Sequence, residues 1–470
     1  MLPVTRLVAT LFLLLGITGA GGEVPVDAPV AAERAAAEER YQRLIAEDRN
    51  AEAAAAAVEV VNLTAQLHGT DSIELAGPLT NLATAQLRNG DLREAEANYQ
   101  LAIALLEKRE GFLSARLVDP LTGLGEAYVR SEQYALATQA YERALRVNHV
   151  NEGFYNLEQI RIRDGLTEGY LGQQDLEKAN FHQEAQIYVQ QRKLGRDNPE
   201  LVGPLTKLGR WYDRSGQTEA ARLVYQGAAR IVQKTGGEDS PDMVEPLLAI
   251  AETYRQQALL PPDPESNQSP ETLLPLSGMM LRKALGIVEK QSPPDPESRA
   301  RILVKLGDLY LMWGKQNTAA DRYREAWQAL SADPALEARR DEFFAKPVRI
   351  MGPLPPAIFP VPPRKAPPPA PKDLEPGYVV VRFNVDQLGR VSDATVVESD
   401  PANLLEERVR ATAKNTLFRP RYVDGAAVAT SGLVFRHEFR YAPKKLEKED
   451  KPPPEQGDKP LAQPTSGAGT

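Results

Sequence analysis

The chain has 470 residues, a formal net charge of −8 at pH 7 and no cysteine. A chain of this length exceeds one ordinary hydrophobic core, so two or more domains are expected. The acidic balance argues against a nucleic-acid-binding surface, which needs an excess of lysine and arginine. The missing cysteine excludes disulfides, thiolate catalysis and cysteine-based zinc sites.

The first 20 residues have the organisation of an export signal. Arg6 is followed by an uncharged stretch, residues 7–20, that ends in small side chains. A membrane-spanning helix needs about 20 apolar residues, whereas the apolar core of a signal peptide needs about 7–15. Residues 1–20 are therefore predicted to be a signal peptide, with a short membrane anchor as the alternative.

A 42-residue period runs through the next part of the chain. Several columns keep this step, among them Leu82, Leu124, Leu166 and Leu208, and Ala95, Ala137, Ala179 and Ala221. Within a unit, the spacing predicts two helices separated by a turn such as residues 89–91. Six units cover residues 76–330, and a degenerate helical pair at residues 32–67 precedes them. The last unit is out of step by 14 residues, which predicts an insertion, interpreted as a loop, within residues 259–275.

These columns resemble the tetratricopeptide repeat. One unit carries the family's residues at the family's spacing: Leu208, Gly209, Tyr212, Gly216, Ala221, Tyr225 and Ala228. The period is longer than the usual 34 residues and is similar to the extended variety of kinesin light chains. The resemblance implies an all-α superhelix in which neighbouring pairs bury each other's apolar faces.

Charged columns fall on the first helix of each pair, the helix that lines the inner face of such arrays. They give candidate concave-face protein-binding residues: Arg88, Arg130, Arg214, Glu126, Glu168, Glu252 and, in register, Asp308. A groove with both signs of charge suits an extended peptide or a partner's helix. The alternative is that the columns neutralise each other between neighbouring repeats, where an exposed pair contributes about 0–1 kcal/mol.

Residues 347–376 contain 12 prolines in 30 positions. Proline fixes φ and lacks a backbone donor, so this segment is predicted to be an extended, semi-rigid linker. The alternative is a docking site for a domain that binds polyproline.

After the linker the apolar period changes to two, as in half-buried strands. The pattern predicts strands at residues 379–385, 391–398 and 432–441, with an amphipathic helix at residues 401–416 between the second and third. This order makes a small α+β domain whose helix covers one face of the sheet. The fold class is therefore multidomain: a helical repeat superhelix joined to a small strand–strand–helix–strand domain. Residues 443–470 are predicted to be a disordered tail.

Residues 377–442 resemble the C-terminal domain of the energy-transducer TonB family. The signature residues are Gly389, Phe418, Pro420, Gly425, Phe435 and Phe439. The resemblance implies binding of outer-membrane receptors, whose peptides pair along an exposed strand edge. The candidate edge strand contains Val434, Phe435, Arg436, His437 and Glu438. The alternative is that another copy of the chain covers this edge, or that its arginines merely blunt it.

The residues suggest no catalytic, cofactor-binding or metal site. The four histidines are scattered, and no P-loop or nucleophile elbow occurs. The sequence therefore predicts a non-enzymatic, soluble periplasmic adaptor that binds proteins or peptides of the Gram-negative envelope and no nucleic acid. The alternative is a transducer component for outer-membrane receptor transport, held in the inner membrane by its N-terminus. An envelope structural protein is the third possibility.

Overall fold

The computed structural model describes residues 27–260, 269–353, 358–359 and 374–443. The predicted signal peptide and nearly all of the predicted tail lie outside these residues. The chain divides into two units, one up to Leu208 and one from Gly209, and each is described by itself.

Antiparallel helix pairs build the first unit, and consecutive helices pack on one another along most of it. The helices are α1 (Asp27–Ala46), α2 (Asn50–His68), α3 (Ala76–Asn89), α4 (Leu92–Glu110), α5 (Val118–Arg130), α6 (Tyr134–Glu152), α7 (Gln159–Gly172) and α8 (Leu176–Leu194). Helix α9 (Val202–Arg214) follows.

Tyrosine and glycine columns set how closely the helices pack. The Tyr99 ring lies so near Gly123 that a Cβ there would come within 2.3 Å of it, and Tyr141 lies equally near Gly165. A larger side chain at either glycine would displace the ring. Gly123 and Gly165 therefore leave room for the rings of Tyr99 and Tyr141, the tyrosines of the preceding helix pair.

Repeating connections join one pair to the next. A glycine with φ between 78° and 93° ends the second helix of a pair and donates its N–H to the carbonyl four residues earlier, at Gly69, Gly111, Gly153, Gly195 and Gly237. Positive φ carries no penalty for glycine. A serine or asparagine three residues later accepts a hydrogen bond from a nearby backbone N–H and so opens the next helix.

The second unit continues the pairs and then carries the small domain. Its helices are α10 (Thr218–Gly236), α11 (Val244–Ala258), α12 (Pro270–Glu289), α13 (Pro296–Met312), α14 (Gln316–Ser331) and α15 (Glu337–Phe344). The predicted loop within residues 259–275 needs correction, because α12 already begins at Pro270. Proline suits the first position of a helix, and the hydroxyl of Thr272 accepts from the Ser269 N–H at 3.1 Å.

A four-stranded sheet forms the small domain, with α16 (Glu406–Lys414) packed on β3 and β4. The strands are β1 (Val348–Met351), β2 (Ile358–Phe359), β3 (Glu375–Val385), β4 (Val391–Asp400), β5 (Leu417–Arg419), β6 (Arg421–Val423), β7 (Ala426–Val428) and β8 (Thr430–Tyr441). The sheet order is β2-β8-β3-β4, and β1–β5 and β6–β7 form separate pairs. The core joins the inward side chains of β3 to Val409, Ala413 and Phe439.

The predicted fold class is confirmed: helical repeats of tetratricopeptide type precede a small α+β domain. The linker prediction needs correction at both ends and at one interior pair of residues. Val348–Met351 is a strand that pairs with β5, Ile358–Phe359 pairs in parallel with the end of β8, and β3 begins at Glu375. The predicted helix at residues 401–416 is shorter, because Leu405 adopts a left-handed conformation and α16 starts at Glu406.

Candidate functional site

Among the described residues, the sheet leaves two strand edges open: the outer edge of β4 and most of the outer edge of β8. On one side β8 pairs antiparallel with β3 along its length. On its other side, β8 is paired within the described residues only at Arg440 and Tyr441, where β2 lies beside it. From Thr430 to Phe439 the described part of the chain leaves this edge without a neighbouring strand. Such an edge presents a row of backbone donors and acceptors to another chain.

The side chains of the candidate edge alternate between the two faces of the sheet. Val434, Arg436 and Glu438 are exposed, whereas Phe435 and His437 are half-buried on the face that α16 covers. A charge on an edge strand opposes unselective pairing. Here Arg436 is paired with Glu438 at 3.2 Å, so the edge is not strongly charged.

Two signature residues fasten the β3–β4 hairpin to β5. Gly389 has φ of 80°, and a Cβ there would lie 1.9 Å from the carbonyl oxygen of Phe418. The Phe418 N–H donates to the Gly389 carbonyl at 2.9 Å, and its ring packs against Phe383. The glycine is therefore required by both its backbone conformation and its contact.

Arg419, between the signature residues Phe418 and Pro420, anchors the small domain on the last repeat. Its guanidinium forms a bidentate pair with Asp308 of α13, both N–O distances being 2.9 Å, and donates to the Phe343 carbonyl. The Tyr323 hydroxyl donates to the same carboxylate at 2.8 Å. Burial opposes the charge of Arg419, but Asp308 outweighs it and raises the pKa of Arg419 above its ordinary value.

The expectation for Asp308 as a concave-face residue therefore needs correction. Its side chain is 17% exposed and its carboxylate is paired with Arg419, so in this structure Asp308 holds the small domain and not an external peptide. Sequence periodicity placed Asp308 correctly on the glutamate column. The 42-residue period does not show that Arg419, 111 residues later, pairs with this carboxylate.

Aromatic rings complete the contact between the small domain and the last repeat. Tyr422 of β6 packs against Tyr323 and Phe344 at centroid distances of 5.6 and 5.2 Å. The signature residue Gly425, in the β6–β7 turn, lies beside Trp327, since a Cβ there would be 3.4 Å from the indole. The signature segment thus serves as a docking surface within the chain.

Glu252 belongs to an internal charge network. It pairs with Arg255 and, at 3.5 Å, with Lys305 of α13. Burial alone would raise its pKa, but these two cations hold the pKa of Glu252 at about 2. Together with Arg349 and Ile350 they line a cavity of about 180 Å³. Glu252 is therefore neutralised by Arg255 of its own helix and by Lys305 of the next helix pair, neither of which belongs to the predicted columns.

The remaining column residues lie mostly at the surface. Arg88, Glu126 and Arg214 are exposed. Arg130 donates to the carbonyl of Leu87 at the end of the preceding unit's first helix, which is a bond between repeats. Burial, followed by the nearby Asp164 and Glu126, raises the pKa of Glu168.

Comparison with family models gives a match in the C-terminal part of the chain. Residues 367–441 match the family model described as the Gram-negative bacterial TonB protein C-terminal. A search of curated proteins gave no match. The chain thus combines tetratricopeptide-type repeats with a TonB-type C-terminal domain.

Two of the solved structures that this chain resembles are described as repeat proteins. A putative kinesin light chain of Podosopora anserina with nearly identical TPR-like repeats is 18% identical, with 45% of this chain and 99% of that chain covered and a TM-score of 0.39. The C-terminal part of a TPR repeat-containing protein from Cytophaga hutchinsonii is 14% identical, with 65% and 98% covered and a TM-score of 0.42. The tetratricopeptide assignment rests on the helix pairs and the 42-residue register themselves.

Proposed function

We propose that this chain is a non-enzymatic adaptor of the Gram-negative periplasm that binds envelope proteins through its repeats and its TonB-type domain. Both parts are of types that serve protein interaction, and the TonB-type domain is associated with the envelope. The observation that carries the proposal is the outer edge of β8, open from Thr430 to Phe439 among the described residues.

The partner of this edge is proposed to be a short extended segment of an outer-membrane protein. Backbone hydrogen bonds of an added strand supply affinity, and side chains that alternate between the two faces supply selectivity. The half-buried rings of Phe435 and His437 lie in a row with Phe439, at centroid distances of 6.3 and 5.9 Å. An apolar side chain of the added strand would pack beside them.

Single cysteines test the edge, because the chain has none of its own. Val434→Cys places a thiol on β8, and Val397→Cys places one on β4, the opposite edge of the same sheet; the native side chains are 58% and 43% exposed. Synthetic peptides from the periplasmic N-terminal segments of outer-membrane receptors, each carrying one cysteine, are incubated with both variants and with oxidised glutathione as the oxidant. Disulfide formation is expected with Val434→Cys and not with Val397→Cys.

Other outcomes contradict the edge proposal. Equal capture by both variants, or none, would exclude strand addition at β8. A disulfide between two Val434→Cys chains would show that a second copy occupies the edge.

Location is tested separately by cell fractionation with N-terminal sequencing. A new N-terminus near Gly21 in the soluble periplasm supports export, whereas an intact Met1 in the inner membrane would instead support the transducer alternative.

A further inference from the structure

Two of the five connections that begin with a capping glycine differ from the other three in chemistry. The two residues after the capping glycine are polar or charged in three connections, Thr70-Asp71, Arg196-Asp197 and Glu238-Asp239, and apolar in the other two, Phe112-Leu113 and Phe154-Tyr155. The position three residues before the glycine is apolar in one unit only, the unit that leads to Phe154-Tyr155. It holds Gln66, Lys108, Arg192 and Lys234 in four units and Val150 in the fifth.

These apolar side chains are not part of the core. Phe112 is 69% exposed, Phe154 68%, Val150 63% and Leu113 56%. The equivalent connections end their helices on glycines of nearly the same φ while carrying charged residues. The fold therefore does not require apolar side chains at these positions. Neighbouring exposed apolar residues on a soluble surface are typical of an interaction site.

The two connections enclose a groove with the last turns of α6. Its volume is about 440 Å³, and its lining residues are Phe112, Leu113, Arg143, Arg146, Val147, His149, Val150 and Phe154. We refer to these eight residues as the loop groove. The volume falls within the range of sites that enclose a few side chains of a ligand. A concave groove suits individual side chains better than it suits a flat lipid surface.

The charges of the loop groove are positive, although the chain as a whole carries −8. Arg143 lies over the Phe112 ring, 6.0 Å from its centroid, and pairs with Glu107. Arg146 is 66% exposed, and its ion pair with Glu142 is long, at 3.9 Å. No acidic residue lines the groove. Its rim therefore complements a carboxylate that sits beside apolar side chains.

We propose that the loop groove binds a peptide segment of a partner protein that presents two large apolar side chains next to an aspartate or glutamate. The proposal deepens the adaptor function and rests on it, since it names the surface through which the repeats take a partner. It uses none of the residues of β8. Loss of one site therefore leaves the other measurable.

Peptide selection against the purified full chain tests the loop groove. Random 12-residue peptides are displayed on phage, and the affinities of the selected peptides are measured by fluorescence anisotropy. The variant Phe112→Thr/Leu113→Asp/Phe154→Arg carries residues that this chain itself uses at the same positions of other connections. We expect enrichment of apolar–acidic peptides and at least tenfold weaker binding to this variant.

Two further variants sharpen the result. Arg146→Glu leaves the apolar side chains in place. It should weaken the binding of acidic peptides several-fold and leave unchanged the binding of analogues in which the carboxylates are amidated. Arg196→Thr/Glu238→Thr changes the same loop position in the charged connections and should leave binding within twofold of the native chain. Far-UV circular dichroism and the Val434→Cys crosslink should be unchanged in all three variants.

Three results would overturn the proposal. The first is selection of peptides without the apolar–acidic combination, or peptide binding that Phe112→Thr/Leu113→Asp/Phe154→Arg, here called the loop variant, does not weaken. The second is a concentration-dependent dimer, seen by analytical ultracentrifugation, that the loop variant abolishes; this would assign the groove to a second copy of the chain. The third is co-sedimentation with phosphatidylethanolamine–phosphatidylglycerol vesicles that the loop variant abolishes, which would assign it to a lipid surface.

Discussion

Removal of either partner of the Arg419–Asp308 pair should destabilise the second unit by an amount set by burial. The Arg419 side chain is 8% exposed and that of Asp308 is 17% exposed. Asp308→Ala leaves a buried guanidinium without its carboxylate, and breaking a buried pair in this way costs about 3–5 kcal/mol. The double variant Asp308→Leu/Arg419→Met replaces both charges by apolar groups, which is often close to neutral. The double variant is therefore expected to be more stable than Asp308→Ala alone.

Urea unfolding followed by tryptophan fluorescence measures this effect. All three tryptophans follow residue 208, and Trp327 packs 5.6 Å from Phe344 at the docking surface. Arg324→Ala is the control, because its pair with Asp321 is about half exposed and should contribute less than about 1 kcal/mol. If Asp308→Ala costs no more than this control, or if the double variant costs the sum of its single changes, the pair does not hold the small domain.

Two further predictions concern buried groups. Burial, followed by the charge of Arg163, lowers the pKa of His182 from 6.5 to about 4. Between pH 6.5 and pH 4 the imidazole is therefore protonated in the unfolded chain but not in the folded one. The free energy of unfolding should fall by about 3 kcal/mol as the pH drops through this range. His182→Gln should flatten the fall in urea unfolding measured across that pH window, and an unchanged slope would show that another group is responsible. Gly389→Ala should cost more than Gly432→Ala, by about 1–3 kcal/mol, because both glycines have positive φ but only the first meets the Phe418 carbonyl. Equal unfolding midpoints would contradict that steric reason.

The repeat fold was predictable because its determinants recur. A buried leucine or alanine recurs every 42 residues, so the sequence shows the same helix contact several times. A glycine opposite a tyrosine indicates that two helices pack closely. In the described part of the chain, helices α3 to α14 form six such pairs. The alternating strands of the small domain were predictable for the same reason, since one face of β3 is buried throughout.

The docking of the small domain was not predictable, because each of its contacts occurs once. Neither Arg419 nor Tyr422 lies in a periodic pattern, and their partners are on helices α13 to α15. The strand β1 was not predicted from the sequence, for a different reason. Its sequence lies at the start of a proline-rich segment, and the strand forms because β5 supplies its hydrogen bonds. Composition reports the average of a segment and misses a short strand that a distant partner stabilises.

Because β1 pairs with β5, both ends of residues 352–374 are held by the same small domain. The length of that segment should then have little influence on docking. Inserting about 15 glycine and serine residues after Lys365 roughly doubles the length of chain between β2 and β3, and each doubling adds only about 0.6 kcal/mol of loop-closure entropy cost. We expect an almost unchanged urea midpoint and Trp327 environment, whereas Ile350→Asp, which puts a charge on a buried residue of β1, should lower the midpoint. If the insertion shifts tryptophan fluorescence as Asp308→Ala does, the linker and not the paired strands sets the position of the small domain.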